Sequence, residues 1–245
     1  MNILLINPNM STFVTERMVG AARASLGPGF SVHGVTATRG PAIVGSRVEN
    51  ALAAANALEL GAEHAKGMDA VLLGISTDAG LLPLRELLDI PVAGMLEAAL
   101  LTACQLGGRI GLLTLGPRML PVYQEQAAAY GLAGRMQGWR AIEAPGAFSQ
   151  NPGAADYDPI AAHAEALVRE QALDVLVLSG AVLAGSRPLI QPRVPVPVID
   201  GIEAAAWQAV ALAGLKPAAH RAGSYARAQG RTLHGVAPDL QQRMA

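Results

Sequence analysis

One passage of this chain is written twice, and that repetition limits what it can fold into more than any other feature. Asp69-Ala70-Val71-Leu72-Leu73 runs into the small, polar turn Gly74-Ile75-Ser76-Thr77-Asp78-Ala79-Gly80, and Pro91-Val92-Ala93-Gly94-Met95-Leu96-Glu97-Ala98-Ala99 follows. In the second half, Asp174-Val175-Leu176-Val177-Leu178-Ser179-Gly180-Ala181 repeats the first part. Pro197-Val198-Ile199-Asp200-Gly201-Ile202-Glu203-Ala204-Ala205 repeats the second. A single one-residue shift aligns the copies and sets Ile75 opposite Gly180. A weaker echo pairs Ile3-Leu4-Leu5-Ile6-Asn7 with Ile110-Gly111-Leu112-Leu113-Thr114. Buried strand–helix units look alike for packing reasons alone. A duplicated α/β unit, with a site in the cleft between the copies, explains the same match more sharply.

The spacing supports the α/β reading along the whole chain. Continuous apolar runs such as 70–73 fit strands buried on both faces, and a strand followed by a small, polar turn and a helix is the βα unit of a parallel sheet. Strands are expected at 2–7, 31–37, 70–73, 91–95, 110–115 and 139–143, then in the repeated runs. Helices are expected at 12–25, 48–66, 81–88, 97–105, 120–130, 159–171 and 201–215. Ser11 or Thr12 serves as the first cap, with Glu16 in the first turn. Residues 145–158 are polar and Gly/Pro-bearing, a surface loop. The expected division is a first lobe over 1–108 plus part of the C-terminal region, a second over 109–215, and a tail over 216–245 packing back on the body.

Composition excludes several functions. The formal charge is −1 over 245 residues, which argues against nucleic acid as a partner. No apolar run reaches membrane-spanning length, so no membrane partner is expected. Cys104 is the single cysteine and forms no internal disulfide, for which a cytoplasmic home is the default. No Gly-x-Gly-x-x-Gly follows the first strand, and neither a Walker loop nor a Gly-x-Ser-x-Gly elbow occurs. His33, His64, His163, His220 and His234 are scattered without metal-ligand spacing.

The strand ends carry the candidate chemistry. Asn9 and Ser11 follow the first strand; Ile75, Ser76, Thr77 and Asp78 follow the third. Thr114 ends the fifth, and Ser179 with the backbone of Gly180, Ala181 and Val182 follows the repeat. Ligands of parallel sheets bind at this edge, where hydroxyls and N–H groups can hold a small carboxylate or amide-like group. Ser11 and Thr77 serve equally well as caps or turn closers. Asp78 is the one carboxylate in these turns and so the candidate base, with capping of the helix at Gly80 as its structural alternative. Arg47, Arg118, Arg140 and Arg187 are candidates for holding a carboxylate.

With these turns the chain resembles the hydantoin racemase branch of the aspartate/glutamate racemase superfamily. The resemblance rests on Ile6-Asn7-Pro8-Asn9-Met10-Ser11 with Thr15, Gly40-Pro41-Ala42, Asp78-Ala79-Gly80-Leu81, Asp89-Ile90-Pro91-Val92, Glu97-Ala98-Ala99, Pro197-Val198-Ile199-Asp200-Gly201 and Ala222-Gly223-Ser224-Tyr225-Ala226. It implies two pseudosymmetric α/β lobes with mainly parallel sheets, a cofactor-independent active site in the cleft between them, and a homo-oligomer. It also implies two cysteines, one from each repeated turn, that exchange a proton on opposite faces of a substrate carbon. Residue by residue, those cysteines fall at Ile75 and Gly180, and Cys104 matches neither. Ordinary two-thiol racemisation is therefore expected to fail while the anion-holding turns persist, with Ser76 or Ser179 as poor stand-ins. Three readings follow. One is an enzyme acting on a small carbonyl compound (hydantoin, amino acid or dicarboxylate derivative) by hydrolysis or decarboxylation, with Asp78 or water as base. The second is a racemase with an unusual base, and the third a non-catalytic small-ligand binder.

Overall fold

The computed structural model describes residues 1–227 and 230–245. It contains two four-stranded parallel sheets. The first is built from β1 (Asn2–Asn7), β2 (Ser31–Thr36), β3 (Ala70–Leu73) and β4 (Val92–Gly94), in the order β2-β1-β3-β4. The second is built from β5 (Ile110–Leu115), β6 (Met136–Ile142), β7 (Val175–Ser179) and β8 (Val198–Asp200), in the order β6-β5-β7-β8. The register repeats with the order: Ile3 stands beside Ala70 as Ile110 stands beside Val175. These are the residues the sequence repeat equates, so the duplication extends to strand pairing.

The central strands are buried on both faces, as their unbroken apolar runs require. Ile3 and Leu5 of β1 face one core cluster, while Leu4 and Ile6 face the other. Strand geometry turns successive side chains to opposite sides, so each face needs its own cover. On one side of the first sheet lie α2 (Arg47–His64), α3 (Leu81–Leu87) and the C-terminal α9 (Pro238–Met244), which packs on α2. The other side faces α1 (Thr12–Leu26) and the second lobe. The second sheet is flanked by α5 (Leu120–Ala129), α6 (Asp158–Gln171) and the single turn α7 (Arg187–Ile190).

The helices after β4 and β8 are exchanged between the lobes. The first, α4 (Met95–Leu106), packs chiefly on β7 and β8. Its counterpart α8 (Gly201–Gly214) packs on α1, β3 and β4, and the two helices pack on each other. One apolar cluster consequently runs from Leu5 and Leu72 through Leu100 and Ala205 to Leu176. The sequence-based lobes, 1–108 plus part of the C-terminal region and 109–215, place each of these two helices with its preceding strand. Largely apolar helices gain more by filling the space between two sheets than by covering one.

Smaller differences have local causes. Ser11 is the residue before α1, yet its side chain makes no cap bond; Ser11 Oγ instead donates to Ala42 O at 2.5 Å, and no acid stands in the first turn. β6 begins three residues before the expected strand, at Met136. The segment 145–158 is more than a surface loop: it forms 3-10 turns at Pro145–Phe148 and Ala154–Tyr157 and buries Ala147 and Tyr157. Among the described residues, no helix is long and apolar enough to cross a membrane.

Candidate active site

The carboxyl ends of β1, β3, β5 and β7 meet around a cavity of about 70 Å³ between the lobes. Ile75 and Ser76 reach it from the turn after β3, and Gly180, Ala181 and Val182 from the turn after β7. Asn9 enters after β1, and Thr114 and Leu115 from the end of β5. Val14 of α1, Ile43 and Val44 of the loop before α2, Tyr123 of α5 and Phe148 complete the walls. Both positions that the repeat pairs, 75 and 180, thus look into one space.

Its polar groups are neutral. Asn9 Oδ1 accepts from Asn7 Nδ2 at 3.1 Å and from Ser11 N at 2.9 Å, which fixes the asparagine in its turn. Asn7 also donates to Thr15 Oγ1 at 2.9 Å, tying β1 to α1. The Ser76 and Tyr123 hydroxyls lie 2.7 Å apart and join the two lobes. Thr114 is wholly buried, and its Oγ1 has no hydrogen-bond partner among the described residues. A buried hydroxyl without a partner is costly, and one that lines a cavity has a partner to gain from a ligand. Among the described residues, no Cys, His, Asp, Glu, Lys or Arg side chain lines the space.

The turns differ in backbone as well as in side chain. Gly180 lies at φ 149°, where a side chain is strained although an added Cβ would meet nothing closer than Leu183 at 3.6 Å. Ile75 is buried and presents an aliphatic wall. Position 180 is therefore a turn built on glycine, and 75 a packed apolar residue.

Other expected site residues lie outside the lining. Asp78, at φ 54°, turns its carboxylate away from the cavity to the start of α4. It accepts from Leu96 N at 2.9 Å, Glu97 N at 2.7 Å and Tyr130 Oη–H at 2.7 Å. The helix it caps is thus α4 and not the one beginning after Gly80. Burial raises its pKa to about 6 against the pull of those three donors. Thr77 Oγ1 donates to Asn50 Oδ1, and Ser179 is buried at the end of β7 beside Thr114 in register. Neither reaches the cavity, and nor does Ser11. Arg47 pairs with Glu125, Arg140 with Glu170 and Arg187 with Glu203, and none of these, nor Arg118, lines it. Cys104 is half-buried on α4 against the core.

Tyr123 and Phe148 are the lining residues that the repeat does not indicate. Tyr123 sits on a short helix with little hydrophobic periodicity and Phe148 in a polar segment, so neither carries a local signal. A larger groove, about 850 Å³, opens between α4, α8 and Arg187. Its charged groups are already satisfied: Arg187 by Glu203, and Asp200 by the N–H groups of Gly185, Ile202 and Glu203. The small cavity at the strand ends, with its unpartnered hydroxyl, is the better candidate.

Comparisons agree with this architecture. A family model described as Asp/Glu/Hydantoin racemase matches residues 3–209. A hydantoin racemase of Paenarthrobacter aurescens is 30% identical over 231 residues, covering 92% of this chain and 96% of the relative. The structure of an allantoin racemase from Klebsiella pneumoniae superposes with a TM-score of 0.90 at 27% identity, over 99% of this chain and 98% of that one. An arylmalonate decarboxylase structure, at 20% identity and a TM-score of 0.62 over 93% and 98% of the chains, shares the fold.

Proposed function

The chain belongs to the Asp/Glu/Hydantoin racemase family, and from that premise we propose that it acts on a small carbonyl compound by decarboxylation and not by two-base racemisation. One observation carries the reading: Ile75 and Gly180 both face the cavity, and neither holds a proton donor or acceptor. Each positioned acid–base group contributes ~10²–10⁴-fold in such reactions. Racemisation needs one on each face of the carbon. Hydrolysis needs a base to activate water, and the one nearby carboxylate, Asp78, is committed to α4.

Loss of carbon dioxide needs no base. A substrate carboxylate set against Ile75, Val14 and Val44 exchanges water for aliphatic walls and meets no cation, which disfavours the charged ground state. The bond from the α-carbon to the carboxylate breaks, and its electron pair passes to the neighbouring carbonyl as carbon dioxide leaves. The enolate oxygen accepts hydrogen bonds from Thr114 and from the one hydroxyl of the Ser76–Tyr123 pair whose proton is not given to the other. One such donor is worth roughly 10²–10³-fold in a dry site. A proton from water, relayed through the Ser76–Tyr123 pair, restores the carbon.

The test is incubation in D₂O with 2-substituted malonates, hydantoins and amino acids. Carbon dioxide release with one deuterium in the product is the expected outcome. Exchange at the α-carbon of a hydantoin or amino acid without carbon dioxide release would replace this reading with racemisation by an unusual base. Saturable binding without turnover would leave a ligand-binding member of the family.

A further inference from the structure

The cavity is far smaller than the roughly 300–1,000 Å³ of ordinary ligand sites, being about 70 Å³. Some contact must part before a substrate enters, and one side chain stands out. Arg17 projects from α1 of the first lobe, where its guanidinium lies 5.7 Å from the centre of the Phe13 ring. It donates from Nη1 to Ala147 O at 2.9 Å and to Val182 O at 2.6 Å, and from Nη2 to Ser149 O at 2.8 Å. All three acceptors are main-chain carbonyls of the second lobe. They belong to two separate segments, and each segment supplies a wall: Phe148 stands between two of the acceptors, and Val182 carries the third.

We propose that Arg17 is a positioning residue that holds the cavity shut by tying Phe148 and Val182 to the first lobe, so that release of this latch admits substrate and its closure limits substrate size. The planar, five-donor guanidinium reaches three carbonyls at once, which an ammonium group does not reproduce. Charged donors also make the stronger hydrogen bonds. The ion pair of Arg47 with Glu125, which also crosses the cleft, is well exposed on both sides and holds little. Because the acceptors are carbonyls, no partner residue in the sequence marks the latch. Phe148 then serves as the size filter: its ring faces the cavity, while the bonds that position it use only its neighbours' backbone.

The size limit rests on the proposed action on small carbonyl compounds; the latch itself does not. Amide hydrogen exchange on the full chain, for the parent protein and the R17K and F148A variants, tests the latch. In R17K, amides at 146–149 and 181–184 should exchange about tenfold faster, in step, with β2 unchanged. If only one segment responds, if neither does, or if the whole molecule loosens equally, the latch is refuted. In F148A the 181–184 amides should stay protected, because Arg17 bonds only main chain; their loss of protection would also count against it. Thermal shifts with 2-methylmalonate and 2-phenylmalonate test the filter. The parent should favour the methyl compound, and both variants should narrow that preference; an unchanged preference overturns the filter. If neither probe binds any form while the two segments still loosen together, the latch stands and the malonate reading of the site falls.

Discussion

The starts of α4 and α8 are equivalent places in the two copies, and they reach one arrangement by different routes. Asp200 precedes α8 and accepts from Ile202 N and Glu203 N with its own side chain. The matching residue before α4 is Gly94, whose backbone angles (φ −86°, ψ 147°) nearly equal those of Asp200 (φ −84°, ψ 127°). There the carboxylate arrives from elsewhere: Asp78 crosses from the turn after β3 to accept from Leu96 N and Glu97 N. Each carboxylate takes a third bond, from Tyr130 in one copy and from Gly185 N in the other. Each helix then places a glutamate in its first turn, paired with Arg85 or Arg187. A buried helix start must have its N–H groups met. The duplicated fold conserves that requirement and not the residue that meets it.

The largest effect should come from crowding this exchange. A Cβ at Gly94 would stand 2.7 Å from Asp78 Cγ, so G94A should displace the cap and cost about 2–4 kcal/mol in denaturant unfolding. The double variant G94D/D78G moves the carboxylate to the second copy's position. It should recover most of that loss and also relieve the positive φ at residue 78. No recovery would mean that the two helix starts are not interchangeable.

A smaller effect links both carboxyls to pH. Burial raises Asp78 and Asp200 alike to about 6, above the ordinary value of 3.8. Between those values the folded chain binds more protons than the unfolded one, so stability falls as pH rises through that window and levels off above it. The drop is on the order of 2–3 kcal/mol per carboxyl. Urea unfolding from pH 4 to 7 should show it, and D200N should roughly halve the slope.

The smallest effect isolates the cavity. Replacing Thr114 by Val removes a buried hydroxyl with no protein partner, so T114V should stabilise the fold by about 1 kcal/mol. It should weaken ligand binding about three- to tenfold if that hydroxyl meets the substrate. Ser179, its neighbour in register, lies outside the cavity, and S179A should leave binding unchanged.

Much of this was readable in the chain before the coordinates. The duplicated run around Ile75 and Gly180 pointed to a duplicated α/β unit and put both residues at one cleft, because unbroken apolar runs and strand–turn–helix punctuation are local properties. What escaped was non-local. The exchange of α4 and α8 depends on which sheet offers the larger apolar face. Asp78 reads along the chain as a candidate base, with capping of the helix at Gly80 as its alternative; it caps α4 instead, a target that lies beyond β4. Tyr123, Tyr130 and Arg17 act across the lobes on hydroxyls, a carboxylate and carbonyls, and no spacing along the chain announces such partners.

The swapped helices carry a consequence for how the protein comes into being. During synthesis the first sheet is complete once β4 has emerged, but the helix that seals it is translated only after every strand of the second sheet. Until then α1 alone covers its inner face, and the nascent lobe must wait, partly exposed to aggregation, for the far end of the chain. Neither half should therefore fold when expressed alone, whereas two fragments made together have all the pieces needed to assemble.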